Sequence, residues 1–226
     1  SFTNFLDADA AWRVVSDFAA PAVTVVKHAN PCGLALHSDQ PTAYRRAFEG
    51  DSTSAYGGIV GFNRTVRAAT ARAMRGVLYH IVVAPDYEPD ALETLRKRKS
   101  LRVLKAAPTG GLLEELDVRM VSGGALVQTI DSIDEDASSW KVVTDRKPSD
   151  AELRDLAFAW RASRHIKSNT IVLAKEETLV GMGAGQPNRV TSVHLALRVA
   201  GEKSQGSVLA SDAFMPFADN VELAAE

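Results

Sequence analysis

The chain has 226 residues, of which 46% are apolar and 24% charged, and a formal net charge of −2, the profile of a globular chain long enough for one large domain or two modest ones. Lys and Arg are scattered and form no basic stripe with aromatics, which excludes the electrostatic footprint of a nucleic-acid binder. A single cysteine excludes an internal disulfide and a cysteine cluster for zinc and fits a reducing cytosol; no apolar run approaches the roughly 20 residues of a membrane span and no signal peptide is visible. A cytoplasmic protein without nucleic-acid or membrane partners is expected. It starts at Ser1 rather than Met, as a processed, engineered or partial chain does.

In chain order, apolar residues at three- to four-residue spacing predict a helix over 6–19, with Asp7 and Asp9 near the positive end of its dipole. Val23-Thr24-Val25-Val26 then reads as a buried strand. It delivers Lys27 and His28 into Asn30-Pro31-Cys32-Gly33, which carries the favoured residues of a type I turn. Neighbouring strand residues point to opposite faces, so Lys27 and His28 serve one site only where the strand gives way to a turn. A short helix follows over 41–48, with Pro41 at its first position and Gly50 beyond its end. The small-residue loop 51–58, holding Gly57-Gly58, precedes a strand over 59–62; paired glycines let a backbone approach a ligand but are also ordinary turn residues.

The alternation continues with a helix over 65–79, a strand over 81–84, a helix opened by Pro89 and ended by the basic run 96–99, and strands over 101–104 and 124–130. The basic run reads as a solvated helix C-terminus. The acidic connector 131–139 is the best internal boundary, dividing the chain into 1–139 and 140–226. Beyond it come a strand over 141–144, a capping box at Ser149 and Glu152 that starts a helix running towards Arg164, a strand over 170–174, a glycine-rich landmark at 181–185, a helix containing Val193 and Leu197, a strand over 208–210, and an aromatic loop over 211–217. The glycines fail the dinucleotide-binding spacing. On their own, Phe214 and Phe217 read as core packing.

His28 is the best acid–base candidate, because imidazole titrates near neutrality and a strand end holds it in place. Lys27 beside it can stabilise a developing oxyanion. A rival reading makes Cys32 a nucleophile with His28 as its base, and a zinc deaminase would need a second cysteine that the motif lacks. His37, His80, His165 and His194 show no metal spacing, and no metal site is expected.

Six ordered blocks, KHANPCG at 27–33, SAYGGIV at 54–60, VSGGALVQ at 121–128, RHIKSNTIVLAK at 164–175, GMGAGQPNRV at 181–190 and ASDAFMPF at 210–217, resemble the transformylase portion of the bifunctional enzymes that formylate aminoimidazole carboxamide ribonucleotide (AICAR) and cyclise the product to inosine monophosphate. The resemblance implies an α/β fold of two related, zinc-free cytidine-deaminase-like units, 10-formyltetrahydrofolate as formyl donor, and a homodimer with active sites at the subunit interface. It implies that His28 takes a proton from the amine, that Lys27 stabilises the oxyanion, and that Asn169 orients amine and imidazole. Gly57, His80, Arg189 and Phe214 match nucleotide-contacting positions; Val190, Phe217 and Asn220 match positions near the folate. Ser211-Asp212 match the surroundings of a structural monovalent cation in some relatives.

Departures accompany the matches. His80 stands where relatives usually carry an acid, Met215 replaces the second Phe of a pair, and Pro187 follows Gln186 where relatives have other residues. An upstream Arg-Tyr-Gly segment, a C-terminal phosphate-gripping segment and the cyclohydrolase domain are missing from the sequence, so the second unit is expected to be truncated and turnover by the chain alone weak or absent. The alternative is a non-catalytic nucleotide- or folate-binding relative.

Overall fold

The computed structural model describes residues 1–107, 116–131 and 137–225. They belong to two compact units, one of residues 1–106 with 148–226 and one of 107–147. The larger contains α1 (Phe2–Ser16), β1 (Ala22–Lys27), β2 (Asn30–Leu36), α2 (Gln40–Gly50), α3 (Ser52–Ala55), β3 (Gly58–Phe62), α4 (Ala68–Ala73), β4 (Tyr79–Ala84), α5 (Pro89–Arg96) and β5 (Arg102–Lys105). After β6 (Leu116–Val121) and β7 (Gly124–Thr129), which pair as an antiparallel ribbon in the smaller unit, it resumes with α6 (Asp150–Ser163), β8 (Ile171–Lys175), β9 (Thr178–Gly183), α7 (Arg189–Ala200), β10 (Val208–Ser211) and α8 (Asp219–Ala225).

The fold is α/β, as expected. Eight strands form one mixed sheet in the order β10-β8-β9-β2-β1-β3-β4-β5, in which β3, β4 and β5 run parallel and the other neighbours antiparallel. Strand side chains alternate between faces. One face packs Leu34, Leu36, Val172 and Leu179 under α1 and α6, through Val14, Val15, Phe158 and Ala162. The other packs Val23, Val25, Val60 and Val82 under α2, α4 and α5, and Ile171, Leu173 and Val180 under α7.

The order α1-β1-β2-α2-β3 is repeated as α6-β8-β9-α7-β10, and the copies align residue for residue at an offset of 148 near their hairpins. Each hairpin has a bulge, between Val25 and Val26 in one and Leu173 and Ala174 in the other. Each turns through two left-handed non-glycine residues, His28 and Ala29 (φ 54° and 60°) and Glu176 and Glu177 (φ 52° and 51°). In each, a helix carboxylate accepts from the second turn residue: Asp7 Oδ1 from the Ala29 N–H and Asp155 Oδ1 from the Glu177 N–H, both at 2.7 Å. Lys27 Nζ donates to Tyr56 O and Lys175 Nζ to Gln205 O, both at 2.9 Å. Gly33 and Gly181 lie against the carbonyls of Ala47 and Ala196, where a Cβ would overlap the oxygen. The copies join where β2 pairs with β9, at Ala35 and Thr178.

Several expected elements shift for identifiable reasons. Asn30-Pro31-Cys32-Gly33 is not a turn: it opens β2, because the chain has already reversed at His28-Ala29. Pro31 faces Val26 at the bulge, where a missing N–H costs no ladder bond. α1 starts at Phe2, capped by Ser1, so Asp7 and Asp9 lie past its first turn and away from the dipole end. The expected helix over 65–79 shrinks to α4, since Tyr79 begins β4. Residues 141–144 form no strand; Val143 is 83% exposed. Gly181 and Gly183 of the glycine-rich landmark sit inside β9, and β6 and α8 are elements that the sequence pattern does not predict. The boundary expected at 139/140 falls inside the unit 107–147, and residues on both sides of that unit supply strands to one sheet. Part of the connector, 132–136, lies outside the described residues.

Gly33→Ala and Gly181→Ala should each lower unfolding stability by about 1–3 kcal/mol, the usual cost of forcing atoms into a packed core. Urea unfolding midpoints check this, with Gly124→Ala, whose added Cβ meets nothing within 4 Å, expected to stay within about 0.5 kcal/mol.

Candidate functional site

β1 ends on Lys27, whose half-buried side chain donates to the Tyr56 carbonyl at 2.9 Å. That carbonyl precedes Gly57, which is left-handed at φ 75° and donates its N–H to Leu78 O at 2.8 Å. A Cβ on Gly57 would sit 3.8 Å from His80 Cε1. Lys27, Gly57 and His80 therefore gather at one end of the sheet. His28 is exposed and left-handed, so the strict strand alternation that separates neighbours ends at Lys27. The His28 carbonyl accepts from Asn30 Nδ2 at 3.1 Å.

The same turn is tied to the second copy. Asn30 Oδ1 accepts from the Lys167 N–H at 3.3 Å, and the Lys167 carbonyl accepts from the Gly185 N–H at 2.8 Å. Asn169 follows a cis peptide at Ser168, donates its Nδ2 to Gln186 O at 2.8 Å, and accepts at its carbonyl from Ser192 Oγ at 2.9 Å. Asn169 thus stands two residues from the contact that joins the Lys27–His28 turn to segment 167–169. Just upstream, Asp17 pairs with His165 Nε2 at 2.9 Å and Arg164 Nη1 at 3.3 Å. Burial works against the Asp17 charge, but the His165 bond and the charges of His165, Arg164 and Arg161 hold its carboxyl below the usual range.

A second group of expected residues surrounds Arg189. Its side chain, 10% exposed, forms an ion pair with Asp212 and donates to Ser211 Oγ at 2.9 Å and Thr170 O at 3.3 Å. Asp212 also accepts from the Thr170 N–H at 2.9 Å. Its carboxyl is lowered although burial opposes this, because Ser168, the Thr170 N–H and Arg189 all favour the anion. Arg189 already neutralises this carboxylate. Val190 is half-buried in the first turn of α7.

Phe214 and Phe217 are 84% and 73% exposed. They are not core residues, the reading their composition alone favoured; Met215 between them packs on the α7 cluster instead. Asn220 is buried, yet its Oδ1 and the Nε of Arg189 find no hydrogen-bond partner among the described residues, and unsatisfied buried polar atoms in a native fold call for an explanation.

Cys32 is buried and donates to Val25 O at 3.4 Å. Burial first, and the Asp51 charge second, push its thiol up to about 12, which removes the thiolate that a nucleophile needs. A cavity of about 530 Å³ lies elsewhere, at the second hairpin turn, lined by His37, Arg46, Arg154, Asp155, Glu176 and Glu177 among others; it includes none of the expected site residues. Among the described residues no group of three or more His, Cys, Asp or Glu is placed to hold a metal ion. Sequence reasoning missed Asp7, Tyr56 and Gln186, two of which act through backbone carbonyls that carry no residue-type signal.

Residues 1–199 match the model of the AICARFT/IMPCHase bienzyme family. The chain belongs to that family. It is 49% identical to the bifunctional purine biosynthesis protein purH of Dictyostelium discoideum over 99% of this chain and 43% of that protein. It is 49% identical to the PurH protein of Nostoc punctiforme over 100% of this chain and 44% of that protein, and 47% identical, with the same coverage, to PurH of Desulfitobacterium hafniense. The chain spans less than half the length of these curated relatives.

Two outcomes follow from the titrating groups. Iodoacetamide labelling of Cys32 in the folded chain should be at least about 100-fold slower than that of a free thiol, as expected of a buried, protonated cysteine, and should rise with urea alongside unfolding. Asp212 has a depressed folded pKa, so its stabilisation is present above the unfolded carboxylate value and is lost as pH falls through the folded one. Thermal melts should therefore show Asp212→Asn clearly less stable than wild type at about pH 7, with the gap closing towards about pH 2.

Proposed function

We propose that this chain is the transformylase portion of its family and transfers the formyl group of 10-formyltetrahydrofolate to the 5-amino group of AICAR, in purine biosynthesis. The observation that carries the reading is the Lys27–His28 pair, presented on a left-handed turn that is hydrogen-bonded to segment 167–169.

In this reaction the amine nitrogen attacks the formyl carbon and His28 accepts the proton that the amine loses. The carbonyl electrons collect on oxygen, where the Lys27 ammonium, already aimed by its bond to Tyr56 O, stabilises the oxyanion. Collapse of the tetrahedral adduct breaks the bond from carbon to N10 of the folate; N10 leaves with a proton returned by the imidazole, giving tetrahydrofolate and the formylated nucleotide. Asn169 orients the amine and the imidazole.

Gly57, His80, Arg189 and Phe214 are assigned to the nucleotide, with Gly57 offering a backbone that has no side chain in the way. Val190, Phe217 and Asn220 are assigned to the folate: the exposed Phe217 ring provides a face for a pterin or benzoyl ring, and Asn220 Oδ1, unpartnered among the described residues, provides an acceptor. The repeated α-β-β-α-β order supports two related units of cytidine-deaminase-like type. A cytoplasmic homodimer with sites at the subunit interface accounts for rings as exposed as Phe214 and Phe217. No helix among the described residues is long and apolar enough to cross a membrane.

Formyl transfer followed spectrophotometrically with AICAR and 10-formyltetrahydrofolate tests the assignment. His28→Ala and Lys27→Ala should each lower kcat by about 10²- to 10⁴-fold, the usual worth of a positioned acid–base or oxyanion group. Equal rates in wild type and both variants would contradict the catalytic roles, and calorimetric binding of AICAR without any turnover would favour a non-catalytic nucleotide binder.

A further inference from the structure

We infer that Asp7, in the middle of α1, is a positioning residue for the Lys27–His28 pair: its carboxylate holds the left-handed turn that presents the imidazole. This rests on the formyltransferase reading of the turn. Asp7 Oδ1 accepts the N–H of Ala29 at 2.7 Å in a partly buried setting. Ala29 and His28 both have positive φ without being glycine, a conformation that an L-residue leaves unless something holds it. The bond to Asp7 is short and charge-assisted, the stronger class of hydrogen bond, and it grips the residue after His28.

The second copy of the unit supplies the control that makes this a claim about function as well as folding. Asp155, the residue 148 positions on, makes the same bond to the Glu177 N–H at 2.7 Å, under a turn with the same backbone. Asp155 also accepts from the Glu176 N–H at 3.0 Å. The two carboxylates carry comparable structural duties, and only the first sits under a histidine. α1 therefore reaches both sides of the candidate site: Asp7 holds the turn, and Asp17, just past its end, holds Arg164 and His165 ahead of Asn169.

The experiment compares Asp7→Ala, Asp7→Asn and Asp155→Ala with wild type in formyl transfer, alongside thermal unfolding and nuclear magnetic resonance of the His28 ring and the Ala29 amide. Asp7→Ala should lower kcat at least about tenfold, as small misplacements of catalytic groups do, with the KM for AICAR changed less. Asp7→Asn keeps an acceptor and should recover most of the rate, and Asp155→Ala should lower the melting temperature by a similar amount while leaving kcat within about twofold. Independently of turnover, Asp7→Ala should speed exchange of the Ala29 amide about tenfold or more, the loss expected for a bond to a charged group, and should shift the His28 ring resonances; Asp155→Ala should move neither. The inference is overturned if Asp7→Ala affects kcat no more than Asp155→Ala, or if His28 resonances are the same in Asp7→Ala and wild type. Failure of the formyltransferase reading looks different: rates would then be insensitive to His28→Ala itself.

Discussion

The His28–Ala29 turn places two consecutive non-glycine residues at φ 54° and 60°, a strain of roughly 1–2 kcal/mol for each. A two-residue turn with both residues left-handed is what the twist of a tight hairpin requires, and Asn-Gly or Gly-Gly normally fill it. Here the position is given to an imidazole. The strain is offset locally by the Asp7 bond to Ala29 and the Asn30 bond to the His28 carbonyl, and then by the sheet, since β1 and β2 pair along their whole length below the turn. Because the turn is so tight, Pro31 and Cys32 are drawn into the ladder, and Gly33 is brought against the Ala47 carbonyl. The position of α2 on the sheet follows from that contact.

The same hairpin geometry occurs twice in the chain. The second hairpin has the same bulge, the same left-handed pair, the same carboxylate beneath it and the same lysine reaching to a carbonyl. What changes is the chemistry of the tip: Glu176 and Glu177 replace His28 and Ala29, and Arg46 closes over Glu176 at 3.1 Å. A single scaffold thus appears twice, once with an imidazole next to a lysine at its tip and once with an ion-paired carboxylate. The pairing of β2 with β9 brings the copies into one sheet, and the bond from Lys167 to Asn30 carries the second copy to the first one's turn.

Much of this was legible in the chain. The apolar run 23–26, the capping box at Ser149 and Glu152, and the motif blocks located the strand, the helix and the candidate residues Lys27, His28 and Asn169, and α/β alternation followed from periodicity. The turn lies three residues ahead of the one the residue types favour, because Asn30-Pro31-Cys32-Gly33 has better turn propensity than His28-Ala29; the contact with Asp7 overrides local preference. By sequence Asp7 suits a helix dipole, since its long-range partner, a backbone N–H 22 residues away, leaves no trace in composition. Phe214 and Phe217 read as core by type and lie in solvent, whereas Met215 between them packs. Residues 141–144 had strand-like apolar content but no neighbouring strand to pair with among the described residues.

We propose that the Lys27–His28 turn, rather than its counterpart in the second hairpin, receives the nucleotide. Titration of the isotopically labelled chain with AICAR, followed by amide and imidazole resonances, tests it most directly. The largest shifts are expected at residues 27–30, Gly57, His80, 167–169 and Arg189, with the second turn at 175–178 and the cavity around Arg46 and Arg154 unmoved. Shifts centred on that second turn, or none at His28 with saturating AICAR, would contradict it.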